Sequence, residues 1–296
     1  MASQVINGKA FEWAVGAAIA QQTGFDITLD KVATHNQSCF DSVTISKKQR
    51  DNYTNTAHHA VQHILEKECL TGTGTITFLP DIRGQDGDVR DIVITSAGKT
   101  IGISCKTNHD AYKHSRLSKK LNFVSKWGLD TAGCSAAYFD SITPLFDELA
   151  KIRKDGKDLV TWAELTDKPN RFYWPVLDAF ATELERIQSP KMCGNFIKYL
   201  VGNHDFYKVV SRPNAVAIQA FNLNGMFNVS KPQLPTKIDL IKNKNGTQYS
   251  KTIIFDKGWS FNFRIHSASS KVEASLKFDI NAIALSPKLY THHIDL

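Results

Sequence analysis

Three polar residues, Asp91, Ser104 and Lys106, have types and a spacing that would allow them to act together on a substrate. Residues 92–105 hold two runs rich in Ile, Val and Thr, which are typical of paired β-strands. A two-residue turn at residues 97–98 would place Asp91 opposite Ser104. Because side chains alternate between the faces of a strand, Lys106 lies on the same face as Ser104. We therefore predict that the three residues cluster at one end of a hairpin.

An acid and a lysine held together in this way are suited to phosphodiester hydrolysis. Carboxylate oxygens bind Mg²⁺, the cation polarises the phosphate and activates water, and a lysine stabilises the developing negative charge. Nuclease motifs of the PD-(D/E)XK type have a second acid where this chain has Ser104. A hydroxyl is a poorer Mg²⁺ ligand, so another carboxylate should compensate, and the candidates are Glu12, Asp86 and Asp88.

Asp81 follows Pro80 and offers a second Pro-Asp pair. We favour Asp91 as the motif aspartate because it begins an apolar strand that pairs with the strand of Lys106. Asp81 comes too early in the chain for that geometry. The alternative for the whole hairpin is an ordinary surface element in which Asp91 and Lys106 are solvated.

The segment that follows Lys106 has the composition of a surface that contacts nucleic acid. Residues 106–126 contain six Lys or Arg and one acid. Cationic side chains neutralise phosphates by counterion release, and amide, imidazole and guanidinium groups can also donate to base edges. The alternative is a solvated basic helix. The DNA contacts predicted here are Asn108, His109, Lys113, His114, Arg116, Lys119 and Lys120.

Two helices are predicted before the hairpin, over residues 8–22 and about 47–68, from the spacing of their apolar residues. Glu12 lies on the first helix, one turn before Gly16, whose missing side chain would let another element approach closely. We expect Glu12 to point into the site and to supply a carboxylate.

The rest of the chain changes from a helical to a strand pattern. Residues 123–200 are mainly helical, with apolar residues at helical spacing in 142–152, 160–165 and 174–187. Farther on, residues 261–280 alternate between apolar and polar side chains and predict a second hairpin with one buried face. Arg and Lys can bind guanine N7 and O6, so we predict DNA contacts at Arg264, His266 and Lys277 on its polar face. A merely solvated face is the alternative.

Composition favours a DNA-binding enzyme of a reducing compartment. The chain has 296 residues, which suits one elaborated domain or two closely packed ones, and its net charge of +7 favours a polyanionic partner. Its five cysteines form no CxxC pair and no zinc-like Cys/His cluster. With neither a secretion signal nor a long apolar stretch, the expected location is the cytoplasm.

Four blocks of sequence, residues 7–14, 101–118, 204–208 and 263–279, together resemble the HaeIII family of type II restriction endonucleases. The resemblance implies Mg²⁺-dependent cleavage of both strands of DNA at GGCC, within a restriction and modification system. It also implies a cognate DNA methyltransferase as a system partner, without required contact, and is compatible with a homodimer.

Carried over residue by residue, the resemblance assigns Asp91 and Lys106 to the nuclease motif and matches Glu12 to the helical glutamate that often joins such sites. Ser104 departs from the superfamily pattern. Asp91 is then expected to hold Mg²⁺ and Lys106 to stabilise charge, while Glu12 or Asp88 supplies the carboxylate that Ser104 lacks.

The predicted fold is α/β, with a PD-(D/E)XK nuclease core, a mixed central sheet flanked by helices and a β-rich C-terminal region. We expect a catalytic region over residues 1–200 with a helical insertion, and a DNA-recognition region over residues 201–296. Two other functions stay open at this point. One is a repair or recombination nuclease of the same superfamily, and the other is a DNA-binding regulator without catalysis.

Overall fold

The computed structural model describes residues 2–82, 87–107, 111–243, 249–267 and 271–296. The chain divides into two compact units, each built from separate stretches of sequence. The first unit comprises Met1–Asp110, Gly202–Gln233 and Lys288–Leu296, and the second comprises Ala111–Val201 and Leu234–Pro287. The chain thus passes between units near residues 110, 201, 233 and 287.

The first unit is a mixed sheet with helices packed against it. Its helices are α1 (Ala2–Thr23), α2 (Lys31–Asp41) and α3 (Lys47–Glu68). Its strands are β1 (Asp26–Ile27), β2 (Gly74–Phe78), β3 (Ile92–Ser96) and β4 (Lys99–Thr107), then β6 (Phe206–Arg212), β7 (Ala215–Phe221) and β12 (Tyr290–Asp295), with β5 in the second unit. The strand order is β1-β2-β3-β4-β6-β7-β12. The pairs β1–β2 and β4–β6 are parallel and the others are antiparallel, so the predicted mixed sheet is confirmed.

The hairpin of β3 and β4 has the predicted register. Val93 pairs with Gly102 and Ile94 with Ile101. Ala97 and Gly98 both have positive φ angles, 46° and 78°, as a two-residue hairpin turn of type I′ requires. A single residue of slippage would exchange the faces of every side chain, so this register decides which residues face the site.

Helix α1 approaches the sheet closely at Gly16. A β-carbon placed on Gly16 would lie 2.3 Å from Cζ of the buried Phe78 on β2, well inside contact distance. The prediction that this glycine permits a close approach is confirmed. It brings the helix that carries Glu12 against the sheet that carries Asp91.

We therefore expect Gly16→Ala to lower the free energy of unfolding by about 1–3 kcal/mol, because the methyl group overpacks a filled core. Gly8→Ala, on the same helix, is the matched control, since nothing lies within 4 Å of its added β-carbon. The control should be neutral or stabilising by up to about 1 kcal/mol, as Ala favours helix. Urea unfolding measures both, and equal effects would contradict the close approach.

The second unit is an antiparallel sheet with helices on its apolar face. Its helices are α4 (Phe123–Lys126), α5 (Ala136–Asp155), α6 (Trp174–Arg186) and α7 (Pro190–Val201), with a π-helical turn at Pro169–Tyr173 and a 3₁₀ turn at Asp256–Gly258. Its strands are β5 (Ala111–Leu117), β8 (Ile238–Asn243), β9 (Ser250–Phe255), β10 (Ser260–His266) and β11 (Leu276–Ala284), in the order β5-β11-β10-β9-β8. Phe180 of α6 packs against Phe263 and Phe278, which buries the apolar face of the second hairpin as predicted.

One alternative and one expectation about local structure were wrong. The basic segment after β4 is not a helix, because residues 111–117 form strand β5 and pair with β11. Residues 160–165 form turns, and Thr161 makes an isolated bridge to Lys271. A stretch of six residues spans less than two helical turns, which is too short to form a stable helix by itself. None of the helices in the described part of the chain is long and apolar enough to cross a membrane.

Candidate active site

Three carboxylates meet at one end of the mixed sheet in the first unit. Glu12 on α1, Asp81 after β2 and Asp91 before β3 each place an oxygen within 4.8 Å of the others. Together with Lys9 and Lys106 they line a cavity of about 370 Å³. The Asp81 side chain is 72% exposed, whereas Glu12 is buried, so the cluster opens to solvent on the Asp81 side.

Asp81 is close to Asp91 because β2 and β3 are antiparallel neighbours. Phe78 pairs with Ile92, and the N–H of Leu79 donates to the carbonyl of Asp91 at 2.9 Å. The end of β2 therefore lies beside the start of β3. From the sequence, Asp81 was set aside as the motif aspartate and was not expected to join this cluster.

Asp91 is held by the strand that carries Lys106. Its Oδ2 accepts hydrogen bonds from the Ser104 hydroxyl at 3.1 Å, the Cys105 N–H at 2.6 Å and the Lys106 ammonium at 3.2 Å. No described residue donates to its other oxygen, Oδ1. The prediction that Asp91, Ser104 and Lys106 cluster is confirmed as geometry, and the arrangement leaves one carboxylate oxygen for a cation.

Glu12 is a buried carboxylate with two donors. The Lys9 ammonium lies 3.1 Å from each of its oxygens, and the Asn36 amide donates to Oε2 at 2.8 Å. Burial and the nearby Asp91 raise the pKa of Glu12 to about 7, although Lys9 and Lys106 act in the opposite direction. Ionisation of Glu12 is unfavourable in these surroundings. A positive charge beside it would therefore stabilise the carboxylate form.

Lys9 and Asn36 were missed by the sequence analysis. Lys9 stands three residues before Glu12 on α1, so their spacing placed both side chains on one face of the helix. Its ammonium also lies 2.5 Å from Asp81. Asn36 is fully buried on α2, and a polar residue within an apolar helix face is the signal that could have indicated a buried partner.

Lys106 brings a positively charged ammonium to the site. Its side chain is 35% exposed and its ammonium contacts Asp91. Burial alone would lower the pKa of Lys106, but Asp91 and Glu12 raise it above its ordinary value, so the side chain carries a positive charge. Ser104 is buried and contributes a hydrogen bond to Asp91.

Asp88 does not join the carboxylate cluster. Arg90 binds it through two nitrogens, at 2.7 and 2.8 Å. This pairing outweighs burial and lowers the pKa of Asp88. The Arg90 side chain passes over Gly102, where an added β-carbon would lie 2.2 Å from it. The expectation that Asp88 supplies the missing carboxylate was wrong, and the other candidate, Asp86, lies outside the described residues.

The chain is similar in sequence to known restriction endonucleases. A family model described as the HaeIII restriction endonuclease matches residues 8–286. The type II restriction enzyme HaeIII of Haemophilus aegyptius is 34% identical over 313 residues, which cover 94% of this chain and 94% of the relative. This chain belongs to the HaeIII restriction endonuclease family. No solved structure gives a significant match.

Membership of the HaeIII family decides between the functions that the sequence left open. The chain is a sequence-specific restriction endonuclease, a hydrolase that acts on double-stranded DNA. It is neither a structure-selective repair nuclease nor a regulator without catalysis. The predicted enzyme class, a site-specific deoxyribonuclease, is confirmed.

The predicted DNA-binding residues of this HaeIII family member differ in their surroundings. Asn108 and His109 lie outside the described residues, as do the side chains of His114 and His266. Lys113 is part-buried on β5, and its ammonium donates to the Tyr199 carbonyl at 2.9 Å. The same ammonium lies 3.8 Å from the centre of the Tyr199 ring. Burial lowers the pKa of Lys113 to about 8. A DNA contact at Lys113 stays a prediction, made for an ammonium that already has a partner within the protein.

The remaining basic residues lie on the second unit, and most have acidic partners. Arg116 pairs with Glu273, and Lys119 pairs with Asp147. Arg264 donates to Asp279 at 2.6 Å, and Lys277 lies 3.7 Å from the same carboxylate. Arg116 on β5 and Lys277 on β11 are direct cross-strand partners, and Arg264 on β10, whose partner is Asp279, lies on the same face of the sheet. Lys120 is exposed.

Proposed function

We propose that this restriction endonuclease cleaves both strands of DNA at GGCC and requires Mg²⁺. The observation that supports the metal is the convergence of three carboxylates with two lysines at one end of the sheet. The GGCC target rests on membership of the HaeIII family.

The side chains of the cluster fit a hard divalent cation. Glu12, Asp81 and Asp91 offer only oxygen ligands, which Mg²⁺ prefers. Burial and the charge of Asp91 raise the pKa of Glu12, so a cation beside it would favour its ionised form. When bound, Mg²⁺ polarises the phosphate and lowers the pKa of a coordinated water. Glu12 and Asp81 would supply the carboxylates that Ser104 does not.

The chain's own residues then have separate tasks. A water attacks the phosphorus and the bond to O3′ breaks, which leaves a 5′-phosphate and a 3′-hydroxyl that takes up a proton. Lys106 donates to the phosphate oxygens as negative charge builds on them, and it orients the attacking water. Ser104 and the Cys105 N–H hold Asp91 in place, so its other oxygen stays directed at the cluster.

We propose further that the polar face of β5, β10 and β11 contacts DNA. Arg116, Arg264 and Lys277 share that face. The pairs Arg116–Glu273 and Arg264–Asp279 hold the two guanidinium groups in place before DNA arrives. An arginine that is fixed in this way loses less conformational entropy when it binds guanine.

Two substitutions should distinguish residues that contact phosphates from residues that contact bases. Lys120→Ala should weaken binding to every sequence alike and reduce the salt slope by about one, because an exposed lysine contributes counterion release. Arg264→Lys keeps a charge beside Asp279 but loses the fork that binds guanine, so it should cost about 1–3 kcal/mol on GGCC and little on other DNA. Affinities for GGCC and a single-base variant at fixed salt measure both, and equal losses on the two duplexes would rule out base contact by Arg264.

The proposed reaction is tested by digestion of plasmid DNA with and without Mg²⁺. Discrete fragments whose ends map to GGCC are expected, and only with the cation. Discrete fragments with other ends would overturn the target but not the enzyme class. Cleavage at full rate in EDTA would overturn the requirement for metal.

Three further properties complete the proposal. The enzyme acts in the cytoplasm, beside a cognate DNA methyltransferase that protects the same sites without binding the nuclease. It cleaves both strands as a homodimer, because a palindromic target matches two-fold symmetry. Sedimentation with and without a GGCC duplex tests the last point.

A further inference from the structure

Lys9 occupies an unusual position for a lysine. Its ammonium lies 3.1 Å from both oxygens of Glu12 and 2.5 Å from Asp81, and its side chain is only 10% exposed. It therefore bridges two of the three carboxylates of the cluster. Both contacts are ion pairs between the ammonium and a carboxylate, so the bridge brings a positive charge into the cluster.

The two lysines divide the cluster between them. Lys106 contacts Asp91, whereas Lys9 contacts Glu12 and Asp81. Lys9 therefore contacts different carboxylates from Lys106. It lies one turn before Glu12 on α1, where its ammonium can hold two carboxylates close together against their mutual repulsion.

The balance of charge limits how many cations the cluster can accept. Three carboxylates and two ammonium groups leave one unit of negative charge. One divalent cation would turn this into one unit of positive charge. A second would add two more positive units to a part-buried site that already holds two lysines, and like charges at such distances repel strongly.

We propose that the Lys9 ammonium replaces a second divalent metal ion, so that this cluster binds one divalent ion per chain. The inference rests on the proposed metal site and extends it, because it sets the number of ions and makes Lys9 a positioning residue for Glu12 and Asp81. The charge is what matters, since an uncharged donor at the same place would hold the oxygens without repelling an ion.

The experiment counts Mn²⁺ ions per chain without DNA, from the free-ion electron paramagnetic resonance signal. Ions of this cluster are those lost in Asp91→Asn. Wild type should bind one such ion. Lys9→Gln, which keeps a donor and removes the charge, should bind two, the first on the order of tenfold more tightly. Lys9→Arg should bind one, and so should Lys47→Met, which removes an exposed lysine on α3.

The outcomes separate this inference from the metal site on which it rests. Two Asp91-dependent ions in wild type, or one in a folded Lys9→Gln, would overturn the role of Lys9 and leave the metal site standing. If wild type binds no Asp91-dependent ion, the proposed metal site fails and the inference with it. Should Lys9→Gln not fold, the wild-type count decides alone, with one ion supporting the inference and two overturning it.

Discussion

Asp91→Asn is expected to reduce DNA cleavage by about a thousandfold or more, because a bound cation supplies several kcal/mol of charge stabilisation. The amide oxygen can still accept from Ser104, Cys105 and Lys106 at the position of Oδ2. The amide nitrogen then takes the place of Oδ1 and presents a donor where a cation would bind. The loss should appear in single-turnover cleavage at saturating enzyme, and raised Mg²⁺ should not restore it.

The same substitution should barely change folding, because all three hydrogen bonds to Oδ2 survive. Urea unfolding and binding to a GGCC duplex in EDTA provide that control. Ser104→Ala removes a neighbouring hydrogen bond without altering a carboxylate, and it should cost far less activity. Equal losses in the two variants would show that Asp91 acts by supporting β4, not by holding a cation.

Lys106→Ala is expected to lower the cleavage rate by on the order of a hundredfold or more, since removing one donor to a developing charge costs about 3 kcal/mol. Its ammonium is within 3.2 Å of Asp91 and partly open to solvent, so it can reach both the cluster and a phosphate. Affinity for DNA should change little, because many other cationic side chains contribute to binding.

Lys31→Ala is a suitable control, because Lys31 is an exposed lysine at the start of α2, in the same unit. It loses the same charge and should retain the wild-type rate. A Lys106→Ala enzyme with normal cleavage would remove Lys106 from the active site. If affinity and rate fall by the same factor, Lys106 serves binding and not the chemical step.

The local parts of the site were predictable from the sequence. A two-residue turn with a glycine specifies its register, so the positions of Asp91, Ser104 and Lys106 followed from pairing rules alone. The helical spacing before Gly16 was enough to place Glu12 on the face that meets the sheet.

Contacts between distant stretches were not predictable in the same way. Asp81 was excluded on its distance along the chain, yet the antiparallel pairing of β2 with β3 brings it beside Asp91. Lys9 resembles one half of an ordinary surface ion pair until α1 is packed and the pair becomes buried. Burial depends on which elements meet, and the composition of one helix does not contain that information.

The surroundings of charged residues on the strands were equally hard to predict from the sequence. The many lysines and arginines after β4 and on the second hairpin indicated a basic surface. In the structure, however, Arg116 forms an ion pair with Glu273, and Arg264 forms one with Asp279. Lys113 became part of the packing around Tyr199. The basic surface is therefore smaller than the sequence suggested, and its arginines are held in fixed orientations.

The strand that carries Lys106 has one neighbour from nearby sequence and one from far away. Its pairing with β3 closes through a two-residue turn, and such hairpins form within about 1–10 μs. Its parallel pairing with β6 waits for residues that begin at Phe206, after the whole of the intervening second-unit segment. Non-local pairing of this kind slows folding. During synthesis, the lysine and its aspartate would thus come together long before the sheet that holds them rigid, so the nascent chain acquires the parts of a nuclease well before it can act as one.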